Sequence, residues 1–353
     1  MCRLISLQST GLKMMQKPTI KMVAARAGVA VSTVSRYYNG HYVSQPVRER
    51  LAKIIAELGY TRSATARNLS LGLKGCFGVV VDSIEDPWFT QFLMGIEEEL
   101  VVHDTSLMLA SLELRGSYDP GIVTSWIRDQ RVDGLILAKS QRRDQPLVEA
   151  AIQARLPVVM VVPFEMWEHT QILHCDNHAA GVTVANHLAQ LGHRKIAFAG
   201  GPQDSLDTRE RLRGLRDGLT AHGIRMVASQ ISYCRSFEAE AGVHWATAFL
   251  KSAPEVTAVV TGNDALALGV MRVAQQKGIR VPQELSIVGF DNIPECALLW
   301  PGLTTMAQPM REMGQAACRG LFEAIASPGM VRTITYPTRL VVRESSGPVR
   351  LMG

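Results

Sequence analysis

Apolar positions fall into two textures along this chain, and the change comes near residue 77. Ile20, Val23, Ala24 and Ala27 recur at three-, four- and seven-residue spacing, the stripe of a short helix, before Gly28 interrupts the pattern. A second helix is predicted over residues 31–39, with Val34 and Tyr38 on one side and Ser32, Ser35, Arg36 and Asn39 around the rest. A third follows, with Ser44 as its cap, Pro46 in its first turn and Val47, Leu51, Ile54, Ile55 and Leu58 as its buried stripe. Residues 61–75 are polar, lack a large apolar face and are bounded by Gly72 and Gly75, the texture of a linker. Beyond them, residues 77–81, 134–138, 158–162, 195–199, 258–261 and 285–289 are short, apolar and mostly β-branched, with helical stretches between them. Such runs are buried on both faces, and the alternation predicts α/β architecture with parallel sheets and crossover helices behind a small all-α head.

Charge sharpens this division. Residues 17–62 carry eight basic and two acidic side chains, net +6, whereas residues 63–353 carry 27 basic and 30 acidic, net −3. A basic head on an otherwise slightly acidic chain suits a polyanionic partner. With 353 residues, 47% of them apolar, the chain is long enough for more than one core. No run approaches the eighteen or so apolar residues of a membrane helix. Residues 1–16 lack both a continuous apolar segment and an A-x-A-like cleavage site, so they read as a disordered extension rather than an export signal, with Met14 or Met15 as alternative starts. The six cysteines are dispersed, without a C-x-x-C pair or a histidine at metal-ligand spacing, and read as reduced thiols of a cytoplasmic protein.

Two short helices joined by a turn containing Gly form a helix-turn-helix, whose second helix lies in a DNA major groove. Val31, Ser32 and Arg36 stand at the exposed start and middle of that helix, where a methyl-bearing group meets thymine and Arg reaches guanine or phosphate. The stretch AGVAVSTVSRYYNG, residues 27–40, resembles the signature of the lactose-repressor (LacI/GalR) family of bacterial transcription regulators. The likeness continues through Tyr42-Val43-Ser44 and Leu58-Gly59-Tyr60. It implies DNA contact by Val31, Ser32, Thr33, Ser35, Arg36, Asn39 and Tyr60. Ala30 departs from it, since a Ser there caps the second helix and its loss costs about 0.5–2 kcal/mol. The resemblance turns the linker, residues 63–76, into a hinge helix that folds in the minor groove, with Ala66 in the pattern and Leu69 as the apolar wedge. Arg62-Ser63 stands where the family has Pro.

The likeness runs on through DPWF at 86–89, GIEEEL at 95–100, VDGLIL at 132–137, LGHRKIAFAGGP at 191–202, GNDALALG at 262–269 and VPQELSIVGFDN at 281–292. It implies, over residues 77–345, a periplasmic-binding-protein-like core of two Rossmann-like subdomains with a ligand cleft between them. Family positions place Arg211, Asn263 and Asp291 in that cleft, with Asp207, Phe237 and Gln308 beside them. Polyol hydroxyls need bidentate donors and acceptors, which Asp, Asn and Arg supply, and an aromatic face such as Phe237 or Trp88 packs on a sugar ring. Structural readings stand beside these: Asp264 as a helix cap, Trp88 as core, and Arg211 as a surface partner of Glu210 or Asp207. Where many members have an Asp after the third core strand, this chain has Val161-Val162-Pro163.

No dinucleotide fingerprint, P-loop, nucleophile elbow or zinc-protease motif is present. His193 reads as a local cap at a helix-to-strand turn. The expectation is therefore a homodimeric, ligand-responsive repressor binding a double-stranded operator and a sugar-like effector, with no cofactor and no enzymatic activity. The rival is a solute-binding protein of a transport system with the same core.

Overall fold

The computed structural model describes residues 18–38, 40–60, 68, 72–114, 117–168, 170–252 and 255–349. The chain divides between Leu73 and Lys74 into two compact units.

The first unit contains α1 (Ile20–Ala27), α2 (Val31–Tyr38) and α3 (Gln45–Leu58). Thr19 caps α1 by accepting from the Met22 N–H at 3.3 Å, and Gly28 ends it at φ 63, a left-handed conformation that glycine adopts without steric cost. Ala30 starts α2 with its carbonyl alone, accepting from the Thr33 and Val34 N–H groups. Ser44 departs from expectation: it precedes α3, but its side chain makes no capping bond, and only its carbonyl accepts, from Val47 and Arg48. Val23, Ala24, Ala27, Val34, Leu51, Ile54 and Tyr60 form the core of this unit, with Val47, Ile55 and Leu58 half-buried around it.

The second unit opens with a clamp. The Asp133 carboxylate accepts from the successive N–H groups of Lys74, Gly75 and Cys76, at 2.8, 2.6 and 3.2 Å. Its strands are β1 (Cys76–Val81), β2 (Ser106–Ser111), β3 (Glu113–Leu114), β4 (Ser117–Tyr118), β5 (Gly134–Ala138), β6 (Val158–Val161), β7 (Gln171–Cys175), β8 (Ile196–Gly200), β9 (Ile231–Tyr233), β10 (Ala258–Thr261), β11 (Ser286–Asp291), β12 (Thr304–Ala307), β13 (Thr333–Tyr336) and β14 (Arg339–Val341). Its helices are α4 (Trp88–His103), α5 (Gly121–Arg128), α6 (Gln145–Gln153), α7 (Asn177–Gln190), α8 (Leu206–Ala221), α9 (Ala239–Ser252), α10 (Asp264–Gln276) and α11 (Met310–Ala326).

Two six-stranded sheets result, in the orders β13-β7-β6-β5-β1-β2 and β14-β12-β11-β10-β8-β9. All pairings within them are parallel except β12 with β14. Each sheet is the middle layer of its own lobe. In the first, α4 and α11 cover one face and α5 and α6 the other; in the second, α7 and α8 oppose α9 and α10. The chain crosses between lobes three times, after β7, after β12 and after β13. Close helix approach sets the cleft walls. A side chain on Gly181 of α7 would run into the Arg211 carbonyl of α8, and one on Gly214 into the His178 carbonyl, so two glycines let these backbones touch.

Candidate functional site

In the first unit, the outer side of α2 presents Val31, 42% exposed, with Ser32 and Arg36 exposed and Thr33 and Ser35 half-buried between them. Val34, fully buried, fixes the opposite side to the core. The face is short-chained except for Arg36, which lets a helix backbone approach a groove while one cation reaches out. Tyr60 corrects the expectation: it is 7% exposed, with its ring edge-on to Tyr38 at 6.0 Å, and belongs to the core rather than to this face. Asn39, Ala66 and Leu69 lie outside the described residues.

In the second unit, the expected cleft residues converge where the lobes meet. Arg211 on α8 is 2% exposed, which overturns the surface-pair reading; Glu210 pairs with Arg213 instead. Arg211 Nε donates to Asn177 Oδ1 at 2.8 Å, Nη2 donates to Asp207 Oδ2 at 3.3 Å, and Nη1 donates to the Gly262 carbonyl. Asn177 also donates to Asp207, at 2.8 Å. Asp291 Oδ1 lies 3.9 Å from Arg211 and accepts from Gln308 Nε2 at 2.6 Å. Gln308 Oε1 faces the indole N–H of fully buried Trp88 at 3.4 Å. Gln308 follows β12 on a crossover, so a single side chain joins the Trp88 lobe to the Asp291 lobe.

Asn263 takes the capping role expected of Asp264. Asn263 caps α10, accepting from the Leu266 N–H at 3.0 Å and donating to the Phe237 carbonyl at 3.0 Å. Asp264, fully buried, instead anchors the turn after β11, accepting from Thr305 at 2.5 Å, Ile293 N–H at 3.0 Å and Cys296 at 3.1 Å. His193 is likewise no local cap: it is buried and bridges Thr257 and the Gly347 carbonyl, at 2.9 and 3.0 Å.

Two charged residues of this site were not singled out from sequence. Lys139 follows β5 directly, and its ammonium lies 2.6 Å from Asp86 and 4.8 Å from the Trp88 ring centre. The signal was a lone cation just past an all-apolar strand, at the carboxyl end where α/β sheets bind ligands. Burial works against the Lys139 charge, but Asp86, Asp291 and Asp207 outweigh it and raise its pKa. Burial also pushes the Asp291 carboxyl up to about 8, over the opposing pull of Lys139 and Arg211. Its Oδ2 is buried without a hydrogen-bond partner among the described residues. The backbone is strained at the same places: Lys139, Val162, Asp291 and Asn292 have φ of 53, 54, 120 and 60, at or just past strand ends. Chemically, the arrangement is a set of fixed donors and acceptors with aromatic walls. Among the described residues no group of His, Cys, Asp or Glu is placed to hold a metal ion, and no helix is long and apolar enough to cross a membrane.

Comparison with known proteins agrees with this division. Residues 19–63 match the family described as bacterial regulatory proteins, lacI family, and residues 185–346 match a periplasmic binding protein-like domain. The regulator CelR of Thermobifida fusca is 33% identical over 343 residues, spanning 94% of this chain and 98% of that protein. Among solved structures, a CelR–cellobiose complex aligns with a TM-score of 0.71 at 31% identity, covering 93% of this chain and 100% of that one. A lac repressor dimer bound to operator and the anti-inducer ONPF aligns with a TM-score of 0.75 at 26% identity, covering 94% and 100%.

Proposed function

The chain belongs to the LacI family of bacterial regulatory proteins and is a DNA-binding transcriptional regulator; on that footing we propose that it is a cytoplasmic, homodimeric repressor whose operator affinity is set by a sugar or related polyol held between its lobes. One observation carries the effector reading. Asp291 is gripped through Oδ1 by Gln308 and lies beside Arg211, yet its buried Oδ2 has no partner among the described residues. An unpaired buried carboxyl oxygen costs about 1–3 kcal/mol, which a ligand hydroxyl recovers on binding. Half-buried Phe237 supplies aromatic surface for the ring, while Trp88, fully buried and stacked on Phe92, backs the cleft from the core. Arg211, Asp207 and Asn263 hold the walls in register, and Gln308 passes the change to a crossover between the lobes.

On DNA, α2 enters the major groove with Val31, Ser32 and Arg36 toward base edges and Thr33 and Ser35 toward the backbone. One head covers one half-site, so a near-palindromic operator calls for two copies. The family's hinge role for Ala66 and Leu69, and base contact by Asn39, belong to the same proposal. The test selects operators from a random duplex library with the full chain and then titrates the selected duplex with cellobiose, ribose and other neutral sugars. A sugar that shifts operator affinity, with the shift lost in Arg211→Ala, is expected. Selection of no preferred site would overturn the repressor reading, and a sugar response unchanged in Arg211→Ala would overturn the cleft.

A further inference from the structure

Lys139 occupies an unusual place for an ammonium. Its side chain is 15% exposed, and Nζ lies 4.8 and 5.6 Å from the Trp88 and Phe89 ring centres of its own lobe and 5.8 Å from the Phe237 ring of the other. Three aromatic faces around a cation make a site that ring quadrupoles favour. Asp86 holds it there. Its Oδ2 takes the ammonium at 2.6 Å, and its Oδ1 accepts from the Trp88 N–H at 3.0 Å, so both carboxylate oxygens are in use. An ammonium has three donors, and the bond to Asp86 uses one. The charges around it are Lys139 and Arg211 against Asp86 and Asp207, each cation already paired with a carboxylate, while Asp291 holds its proton at neutral pH.

We propose that Lys139 is an effector-contacting, specificity-determining residue, donating to an oxygen of a neutral polyhydroxylated ligand while Asp291 Oδ2 hydrogen-bonds a hydroxyl on the facing wall. The inference rests on the sugar-effector reading above and adds a charge rule to it. A cationic ligand finds the aromatic box already filled by Lys139. A carboxylated or phosphorylated ligand brings a negative charge to a cleft whose two cations are already paired with Asp86 and Asp207, so it is desolvated without a counter-ion of its own.

Isothermal titration of the full-length protein with matched sets tests this: ribose and ribose 5-phosphate, cellobiose and cellobionate, glucose with glucuronate and glucosamine. The neutral member of one set is expected to bind at least about tenfold more tightly than its charged counterparts. Lys139→Met should weaken that neutral sugar by about 10- to 100-fold, the range for a lost charged hydrogen bond. It should also narrow the preference for the neutral sugar over its amino analogue, because the box is vacated. Lys139→Gln, which keeps an N–H donor, should fall between. Unchanged affinity in Lys139→Met would remove Lys139 from the contact, and a wild-type preference for the phosphate or carboxylate would overturn the charge rule while leaving the sugar cleft standing. Wild-type protein that binds its selected operator but no member of any set would overturn the sugar reading itself, and this inference with it.

Discussion

At the scale of single residues, burial decides what each ionisable group does. Asp291 and Asp264 are both carboxyls raised by burial, to about 8 and about 6, but only Asp291 has an oxygen left over for a ligand. An unfolded aspartate titrates near pH 4, roughly. Between that pH and about 8, folded Asp291 retains a proton the unfolded chain has lost, so its contribution to stability is full in acid and declines as pH rises through about 8. Asp291→Asn should abolish that decline, which urea denaturation of both proteins from pH 4 to 9 measures; parallel curves would mean the carboxyl is ionised throughout. Arg211 makes a different prediction. Arg211→Ala leaves Asp207 and Asp291 buried beside each other without their shared cation, and the loss of one partner from a buried pair costs about 3–5 kcal/mol. A lowered unfolding midpoint together with a lost effector response is expected. Arg211, Asp291 and Asp207 were legible from sequence only by family position, since nothing in a helix reading ERLRGL says that its first Arg faces inward and its second outward.

At the scale of elements, helix ends and helix contacts carry the consequences. α2 begins at Ala30 with no side-chain acceptor for its first N–H groups. Ala30→Ser should stabilise the first unit by about 0.5–2 kcal/mol, read as a raised denaturation midpoint for its transition. On the same helix, exchanging Val31 and Ser32 together should change the selected operator while leaving non-specific binding nearly intact, because these exposed positions lie outside the core. Return of the same site from a random library would show that they do not read bases. Between α7 and α8, Gly214→Ala would drive a methyl into the His178 carbonyl and part the helices that hold Asn177 against Arg211. A loss of about 1–3 kcal/mol is expected, with weakened effector binding, by thermal unfolding and titration respectively. The six apolar runs read from sequence each coincide with a central strand, whereas β2–β4, β7, β9 and β12–β14 match no such run. Edge strands carry mixed patterns: β2 exposes Leu107 and Leu109, β13 alternates exposed with half-buried positions, and β14 has no fully buried position.

At the scale of the whole molecule, the proposed function requires linkage. If a sugar changes operator affinity, operator must change sugar affinity by the same factor, usually about 5- to 150-fold, because both paths join the same states. Sugar titrations with and without the selected duplex check this equality, and unequal factors at equilibrium would rule out a single coupled dimer. The sequence by itself determined the division into a basic helical head and an α/β core. Both are written in local signals: the 3.6-residue stripe, the Gly turn, the apolar runs and the distribution of charge. It also carried the family signature, and hence the positions at which to look. Only the tertiary structure decided which side chains meet. Lys139 and Asp86 lie 53 residues apart, and Trp88 and Gln308 lie 220 apart. Their roles, the turn anchored by Asp264 and the unpaired oxygen of Asp291 follow from packing that brings strand ends together, and local periodicity contains no information about contacts across that distance.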